Sequence, residues 1–462
     1  ETEIAYTEAN LQLPQSLSSD EFKAYKDSGK TTNTNGTWRK SGRYSNMLFV
    51  NSRYETTMGA YTFKPQVYFT QWGHFHPVTG MINDAQDNKV FGTDLAWNRS
   101  HELFGKPAEF LFGMTARTDI RTGGKKYTYQ DRDGSGNVLT DTKGDLAQTE
   151  DSQNTILGAY IQESFSPIKD MTVDVGIRYD QLNMSVDGNE IKKYNYGGPF
   201  AGTYTAGSGV YSYKETYNLF SPKIGVTYAL NNQTNIYGLV ASSNQAPTGG
   251  EMEATQQYQP QIDLKASKST NYEMGLKLRD QALSADLSVY YNPLTNEIVK
   301  VDDGNEDYYE NAGKTEKMGI ELTTTYQINS SWALGFSGSK SEYKYDSYIS
   351  DGSDYSGNYL KFSPDFQYSI FADWKKGAYS ARLETSAVGS YYVDDANSEK
   401  YDGFSGLVNL SAGYNRKHHA VNLSLKNLTD MRYATEVTKS RGVNSYNVGA
   451  PRSVMLSYQY KY

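Results

Sequence analysis

Cysteine is absent from the 462-residue chain, which removes disulfide frameworks, thiolate metal clusters and cysteine nucleophiles together. Histidine is scarce at five residues. No Gly-x-Ser-x-Gly elbow sets a serine beside one of them, so no catalytic constellation emerges and the chain is not expected to be an enzyme. No run of about 18 apolar residues occurs, so a membrane-spanning helix is excluded. Proline is rare at 12 residues, and neither a Pro-rich spacer nor a shift in composition marks a domain boundary. A soluble chain of this length would usually divide into several domains; without linkers, one large barrel over residues 1–462 is the economical reading. The formal charge is −8 with no basic cluster, which gives nucleic acid no electrostatic footprint. The chain begins at Glu1 without a visible signal peptide; in an exported protein that implies processing or a fragment.

What the chain has in excess is tyrosine, 41 residues beside 41 glycines. Tyrosine is both a good strand former and an anchor at membrane–water interfaces. Only 37% of residues are apolar and the mean hydropathy is −0.70. A transmembrane β-barrel tolerates such values because its apolar residues alternate with polar ones. That alternation is explicit. Met171, Val173, Val175, Ile177 and Tyr179 alternate with Thr172, Asp174, Gly176, Arg178 and Asp180. Tyr272, Met274, Leu276 and Leu278 alternate with Glu273, Gly275, Lys277 and Arg279. At the end of the chain Val454, Leu456, Tyr458, Tyr460 and Tyr462 share one face, with Ser453, Ser457, Gln459 and Lys461 on the other. A period of two with opposite polarities describes a strand between two solvents. A closing aromatic at the height of a headgroup belt fits the last strand of an outer-membrane barrel.

Strand segments come in pairs near 42–57 and 60–76, 88–102 and 107–120, 154–167 and 170–184, 217–230 and 233–245, 270–280 and 282–296, 308–327 and 330–345, 363–376 and 377–392, and 405–416 and 419–433. With a partial strand at 1–8 and the last at 451–462, that makes about 18 strands. Residues 9–41 read as a long polar loop, and no helical segment is expected. The connections alternate. Turns at 56–59, 102–106, 231–232, 280–281, 328–330, 375–377 and 416–418 are short. The others, at 75–87, 121–153, 185–216, 246–269, 297–307, 346–362, 393–404 and 434–450, are long. Short turns on one side and long loops on the other describe a periplasmic rim and an extracellular crown. A barrel of this many strands is too wide for side chains to fill, so its polar face lines the lumen and its apolar face meets lipid. The expected fold class is therefore all-β, a transmembrane antiparallel β-barrel in an outer membrane.

Asn427-Leu428-Thr429-Asp430 and Gly449-Ala450-Pro451-Arg452, with three motifs upstream of them, resemble the barrel of TonB-dependent outer-membrane receptors of the siderophore-receptor type. Asn427-Leu428-Thr429-Asp430-Met431-Arg432-Tyr433 is similar to the family's Asn-Leu-x-Asp-x-x-Tyr, and Gly449-Ala450-Pro451-Arg452 to its Gly-x-Pro-Arg. Gly176-Ile177-Arg178-Tyr179-Asp180 resembles Gly-x-Arg-Tyr-Asp, and Tyr272-Glu273-Met274-Gly275-Leu276-Lys277 resembles Tyr-Glu-x-Gly-x-Lys. Asn311-Ala312-Gly313 followed by Gly319-Ile320-Glu321 completes the set in the family's order. The resemblance implies a barrel of about 22 strands preceded by a plug domain. It also implies import of a scarce ligand, driven from the inner membrane through a TonB-type energy-coupling protein that engages the plug. The about 18 strands visible then mark residues 1–462 as the C-terminal part of a receptor, with plug and first strands absent. Residues 244–258 resemble a segment that haem receptors use with a loop histidine, but no histidine lies between Thr248 and Tyr272. The ligand expected is therefore a ferric siderophore or similar metal chelate. Outer-membrane lipid is the other expected partner, and no cofactor is expected. An 18-stranded substrate-selective porin and a surface adhesion or assembly barrel are the alternatives.

Phase assigns candidate ligand contacts. Tyr61, Phe63, Val67 and Phe69 set the lipid face of their strand, which turns Tyr68, Trp72, His74 and His76 to the lumen near the extracellular mouth. Two histidines at i and i+2 can hold a metal or metal chelate, and Trp72 can stack on an aromatic ligand; unliganded polar residues at that height are the plainer reading. Phe110, Phe112, Met114 and Ala116 set the next outward face, so Arg117 points inward. Its guanidinium fork suits an anionic chelate, or an ion pair within the barrel. Asp131, Asp133 and Ser135, followed by Gly136 and Asn137, match the opening of a calcium loop, but the twelfth position is Thr142 in place of glutamate; a Gly-rich turn explains them as well. The acidic loop at 302–307 and the pair His418 and His419 read as solvated turns.

Overall fold

Each alternating stretch becomes a strand, and successive strands hydrogen-bond in antiparallel order around one sheet. The computed structural model describes residues 1–30, 38–78, 80–196, 202–302, 307–440 and 442–461. The polar run at 31–36, the centre of the acidic loop at 303–306 and Tyr462 lie outside the described residues. Strand β1 (Thr2–Gln12) pairs with β2 (Gly42–Arg53), which resumes beyond Glu55 as Thr56–Met58. There follow β3 (Tyr61–Pro77), β4 (Ile82–Leu103), β5 (Lys106–Tyr129), β6 (Lys143–Phe165), β7 (Met171–Tyr194), β8 (Tyr204–Ala229), β9 (Thr234–Gln245) and β10 (Ser267–Arg279). The wall continues through β11 (Leu283–Asp302), β12 (Asp307–Gln327), β13 (Trp332–Ser347), β14 (Phe366–Lys376), β15 (Tyr379–Val388), β16 (Phe404–Arg416), β17 (His419–Lys426) and β18 (Ser453–Tyr460). These eighteen staves agree with the count read from the sequence. Among the described residues β1 bonds only β2 and β18 bonds only β17, so the two edges of the sheet do not pair with each other.

The two faces meet different solvents as the alternation requires. Val175, Ile177 and Tyr179 stand outward at 39%, 41% and 45% exposure. On the opposite face of the same strand Arg178 donates two hydrogen bonds to Asp180 and a third to Thr115. Lumen-facing glycines sit beside aromatic rings. Tyr68 pairs across the ladder with Gly92 and Tyr160 with Gly113. The ring lies so flat over its glycine that a Cβ at either position would meet it at 2.1 Å. Gly275 lies under Tyr237 in the same way. Covering glycine with a neighbouring ring offsets the packing a strand glycine forfeits, and it links the abundance of these two residue types. The short turns carry left-handed residues where the strands' twist needs them: Phe104 and Gly105, at φ 56° and 71°, join β4 to β5.

Above the membrane the structure departs from the sequence reading in two ways. First, β4 to β8 run 22 to 26 residues, far beyond the roughly 9–11 that cross a bilayer. The long loops expected at 75–87, 121–153 and 185–216 are therefore largely strand. Second, two helices occur where none was expected: α1 (Ser19–Ser28) and α2 (Gly249–Tyr258). Each begins with a capping box, Ser18 with Glu21 and Thr248 with Glu251, which satisfies two otherwise orphaned amides. Small apolar clusters hold this crown together. In one, Phe22 and Tyr25 of α1 pack with Leu17, Tyr391, Ala434 and Val437. Phe22 stacks on Tyr446 at 4.5 Å, and Arg432 donates to the Lys26 carbonyl at 2.7 Å. The loop after β1 thus docks on the loops before β18.

Replacing Gly92 by valine should displace the Tyr68 ring and destabilise the barrel by about 1–3 kcal/mol. Removing the ring as well, in Gly92→Val/Tyr68→Ala, should recover part of that loss. Thermal unfolding of the four proteins of this cycle in detergent is the check; additive effects would sink the ring-over-glycine account.

Candidate ligand-binding site

Strand β3 rises from the short-turn rim, and its inward row carries Tyr68, Trp72, His74 and His76 on one face. The register against β4 slips between Trp72 and His74. Asn88 secures the slip by donating to the carbonyls of Trp72 at 3.0 Å and Ala85 at 2.9 Å. The irregularity leaves the alternation of β3 intact and packs its rings in sequence. Trp72 stacks on His74 at 5.1 Å, and His74 meets His76 at 5.7 Å. His76 Nδ1 lies 2.8 Å from the Gly42 carbonyl, which can only accept, so Nδ1 carries the proton and donates. His74 Nδ1 is buried with no hydrogen-bond partner. Burial, with the positive fields of His76, Arg43 and Arg121, lowers the His74 pKa to about 4, so the ring is neutral at neutral pH. Five residues above Phe69, it lies beyond the apolar band.

His74 opens onto a cavity of about 230 Å³ in the inner wall, shared with Asp84, Arg121, Lys125, Lys126, Glu150 and Glu253. Helix α2 forms one side of it. Glu253 accepts from Lys126 at 3.1 Å and from Gln148 at 3.0 Å. Glu150 accepts from Arg121 at 2.7 Å and from the Tyr211 hydroxyl at 2.9 Å. The helix is seated from below by apolar and polar contacts. Met252 and Leu264 are buried with Met184, Val186, Tyr213 and Tyr217, while Thr255 exchanges hydrogen bonds with the Tyr309 backbone at 3.2 and 3.1 Å. Burial and the neighbouring Glu253 charge raise the Glu150 pKa. Burial opposes ionised Glu253 too, but Lys126 and the Gln148 hydrogen bond outweigh it and hold that pKa below the ordinary 4.5.

The other expected contacts are distributed unevenly. Arg117 lies in register with Gly92, and Gly92 with Tyr68, so these two candidates share one lumen row below the histidines. Arg117 is chelated by Asp119 through two hydrogen bonds of 2.8 and 3.0 Å, the ion pair within the barrel that the sequence also allowed. Asp131, Asp133 and Ser135 form a turn whose carboxylates are taken by protein donors. Asp133 accepts from the amides of Ser135 and Asn137 and from the Asn137 side chain, and Asp131 from Thr140. No group of three or more metal-ligating side chains occurs among the described residues. On the opposite rim His418 and His419 contact the Lys461 carbonyl and the Tyr458 hydroxyl of β18 at 2.8 Å each. Arg121, Lys125, Lys126, Glu150 and Glu253 were missed because they were read as loop. The capping box of α2 was the available signal.

The family model described as TonB dependent receptor-like, beta-barrel, matches residues 4–428. The catecholate siderophore receptor Fiu of Escherichia coli K12 is 24% identical over 333 residues, covering 66% of this chain and 41% of that protein. The chain thus matches about two fifths of the length of this curated relative. Among solved structures, the unliganded ferric citrate transporter FecA superposes with a TM-score of 0.78 at 16% identity, covering 99% of this chain and 67% of that one. The siderophore receptor PiuA of Acinetobacter baumannii gives 0.76 at 16% identity, covering 100% and 71%. At these identities the superpositions show the fold.

The Glu253 contacts predict an acid-sensitive helix. A depressed carboxylate contributes stability above its unfolded pKa and loses it as the pH falls through the folded value; a raised one does the reverse. Protonation of Glu150 should therefore come first and relieve repulsion on Glu253. The amides of 249–258 should keep their exchange protection down to about pH 4.5, the ordinary glutamate value, and lose it below. At pH 7 Glu253→Gln should reduce that protection about tenfold. Unchanged protection in this variant would refute the role of the Glu253 contacts in holding the helix.

Proposed function

The chain belongs to the TonB-dependent receptor-like β-barrel family, and from that membership we propose that residues 1–462 are the barrel part of a receptor that imports a ferric siderophore or similar anionic metal chelate. Its location is the outer membrane of a Gram-negative bacterium. Family members are transport receptors, and the work of import is proposed to come from a TonB-type protein acting through a plug domain. A passive site only shifts an equilibrium, so accumulation requires that external work. The observation that carries the ligand class is the lumen cavity above the membrane, where neutral His74, stacked on Trp72, adjoins Lys125 and the ion-paired Arg121 and Lys126. Aromatic faces suit a planar catecholate, and guanidinium and ammonium groups suit its negative charge. A relative named for catecholate siderophores supports the same class. The 18-stranded channel is the weaker reading, because the edges β1 and β18 do not close on one another among the described residues.

The test is equilibrium binding by the full-length receptor of a ferric tris-catecholate, with a neutral ferric hydroxamate for comparison. Lys125→Ala and Trp72→Ala should each weaken catecholate binding about tenfold, and Lys125→Ala should leave the hydroxamate unaffected. Absence of binding to any ferric chelate, together with steady single-channel conductance, would overturn the receptor reading in favour of a channel.

A further inference from the structure

Two apolar cavities lie outside the barrel, on the wall that faces lipid. Gly238 of β9 stands in register with Met274 of β10 on one side and Val226 of β8 on the other. Its missing side chain leaves a notch between half-buried Val226 and exposed Met274. Two overlapping cavities of about 450 and 560 Å³ meet there, lined by Val226, Val240, Tyr272, Met274 and Val289. A Cβ on Gly238 would meet only the Glu273 carbonyl oxygen, at 3.9 Å, so the glycine is not required by crowding. Met274 is 68% exposed.

Directly above the notch the outer face becomes aromatic and then cationic. Tyr272 pairs with Tyr291, and their rings stack at 6.3 Å. Four residues higher, Lys268 pairs with Thr295, and Thr295 with Lys314. Two lysines therefore flank one threonine in a single row, about 10 Å apart across two strand spacings, within reach of one anionic group. Both are exposed, and neither has an acidic partner within 4 Å among the described residues. On this face the Glu316 carboxylate accepts from the Tyr291 hydroxyl at 2.7 Å, and exposed Asp346 stands at the register shift opposite Lys314 and Thr315. On the neighbouring stave the Glu342 carboxylate is held by Lys344 at 2.5 Å. From Met274 to Lys268 the strand rises about 20 Å, or roughly 14 Å along the membrane normal at a 45° tilt, about half the apolar band.

We infer that this strip of β8 to β12 is a binding site for a phosphate-bearing lipid of the outer leaflet. One acyl chain fills the notch at Gly238, the Tyr272–Tyr291 pair lies at the level of the ester and sugar groups, and Lys268 and Lys314 grip the phosphate. A bulk lipid needs only an apolar wall. A groove vacated by glycine and continued upward by two unpartnered lysines selects both a chain and an anionic headgroup.

The experiment is native mass spectrometry of the delipidated full-length receptor titrated with diphosphoryl lipid A, its enzymatically dephosphorylated form, and inorganic phosphate as competitor. The wild type should retain one diphosphoryl lipid A per receptor and bind the dephosphorylated form more weakly. Lys268→Gln/Lys314→Gln should weaken the phosphorylated lipid about 30-fold, at about fivefold per lysine, and remove the difference between the two lipids. Gly238→Leu should weaken both lipids alike. Ferric-chelate binding by the same variants, at a site on the other face of the wall, reports that each is folded. Equal affinity of the wild type for the two lipids, or an unaltered preference in the double lysine variant, would overturn the headgroup assignment. Unaltered lipid binding by Gly238→Leu would overturn the groove. Displacement of the lipid by millimolar inorganic phosphate would show that the lysines hold a free anion instead.

Discussion

Hydrocarbon offers no partner to a backbone amide, and each unpaired polar group there costs several kcal/mol. That single constraint orders the rest of this molecule. It demands a continuous ladder through the membrane, which β1 to β18 supply by bonding each strand to the next. It also makes the outer edges of β1 and β18 the costliest backbone in the wall, since Ile4, Tyr6, Val454 and Leu456 flank them with apolar side chains exposed. The docking of α1 on the loops that precede β18 brings these two edges toward the same side of the crown. Closure above the membrane is thereby a matter of side-chain packing, whereas within it only hydrogen-bonded strands will serve.

The lumen obeys a different rule. There water can reach charged groups, yet the wall's polar side chains are mostly satisfied by one another: Arg178 by Asp180, Arg382 by Asp373, Arg279 by Asp286. Such pairs contribute little to stability where solvent screens them. Their effect is to leave few free charges along the passage. Lys125 and the unpartnered nitrogen of His74 are therefore conspicuous, because they sit in a pocket otherwise balanced by Arg121 with Glu150 and Lys126 with Glu253.

The membrane-spanning part of the fold was legible in the sequence because two solvents write opposite polarities on alternate residues. Met171 to Tyr179 and Tyr272 to Leu278 show it with no exception on the apolar face. The signal fades where both faces become wet. In β7 the outward row continues above Tyr179 as Gln181, Asn183 and Ser185, still in register with β8, but polarity no longer distinguishes it from the inward row. Strands above the membrane were accordingly read as loop. The helices were lost for another reason: ten residues are too few for a periodic stripe to stand out, and α2 has only Met252 and Thr255 fully buried. Their capping boxes were the local mark. Tyr68, Trp72, His74, His76 and Arg117 could be placed on the lumen face by counting in twos. That Glu253 meets Lys126, 127 positions away in the chain, could not be counted at all.

The chelate cavity within the wall and the lysine pair that tops the lipid strip without both sit just above the apolar band, and one physical argument accounts for the coincidence. Deeper in the membrane a lysine or arginine on the outer face costs about 2–4 kcal/mol. Higher in the crown it is surrounded by water, where its attraction for an anion is screened. Between these lies a narrow zone in which a cation is tolerated and its field is still strengthened by the low-dielectric wall beside it. Strands that overshoot the bilayer carry rigid backbone through that zone. They can therefore present charged side chains on either face at fixed spacing, which a flexible loop springing directly from the membrane surface could not do.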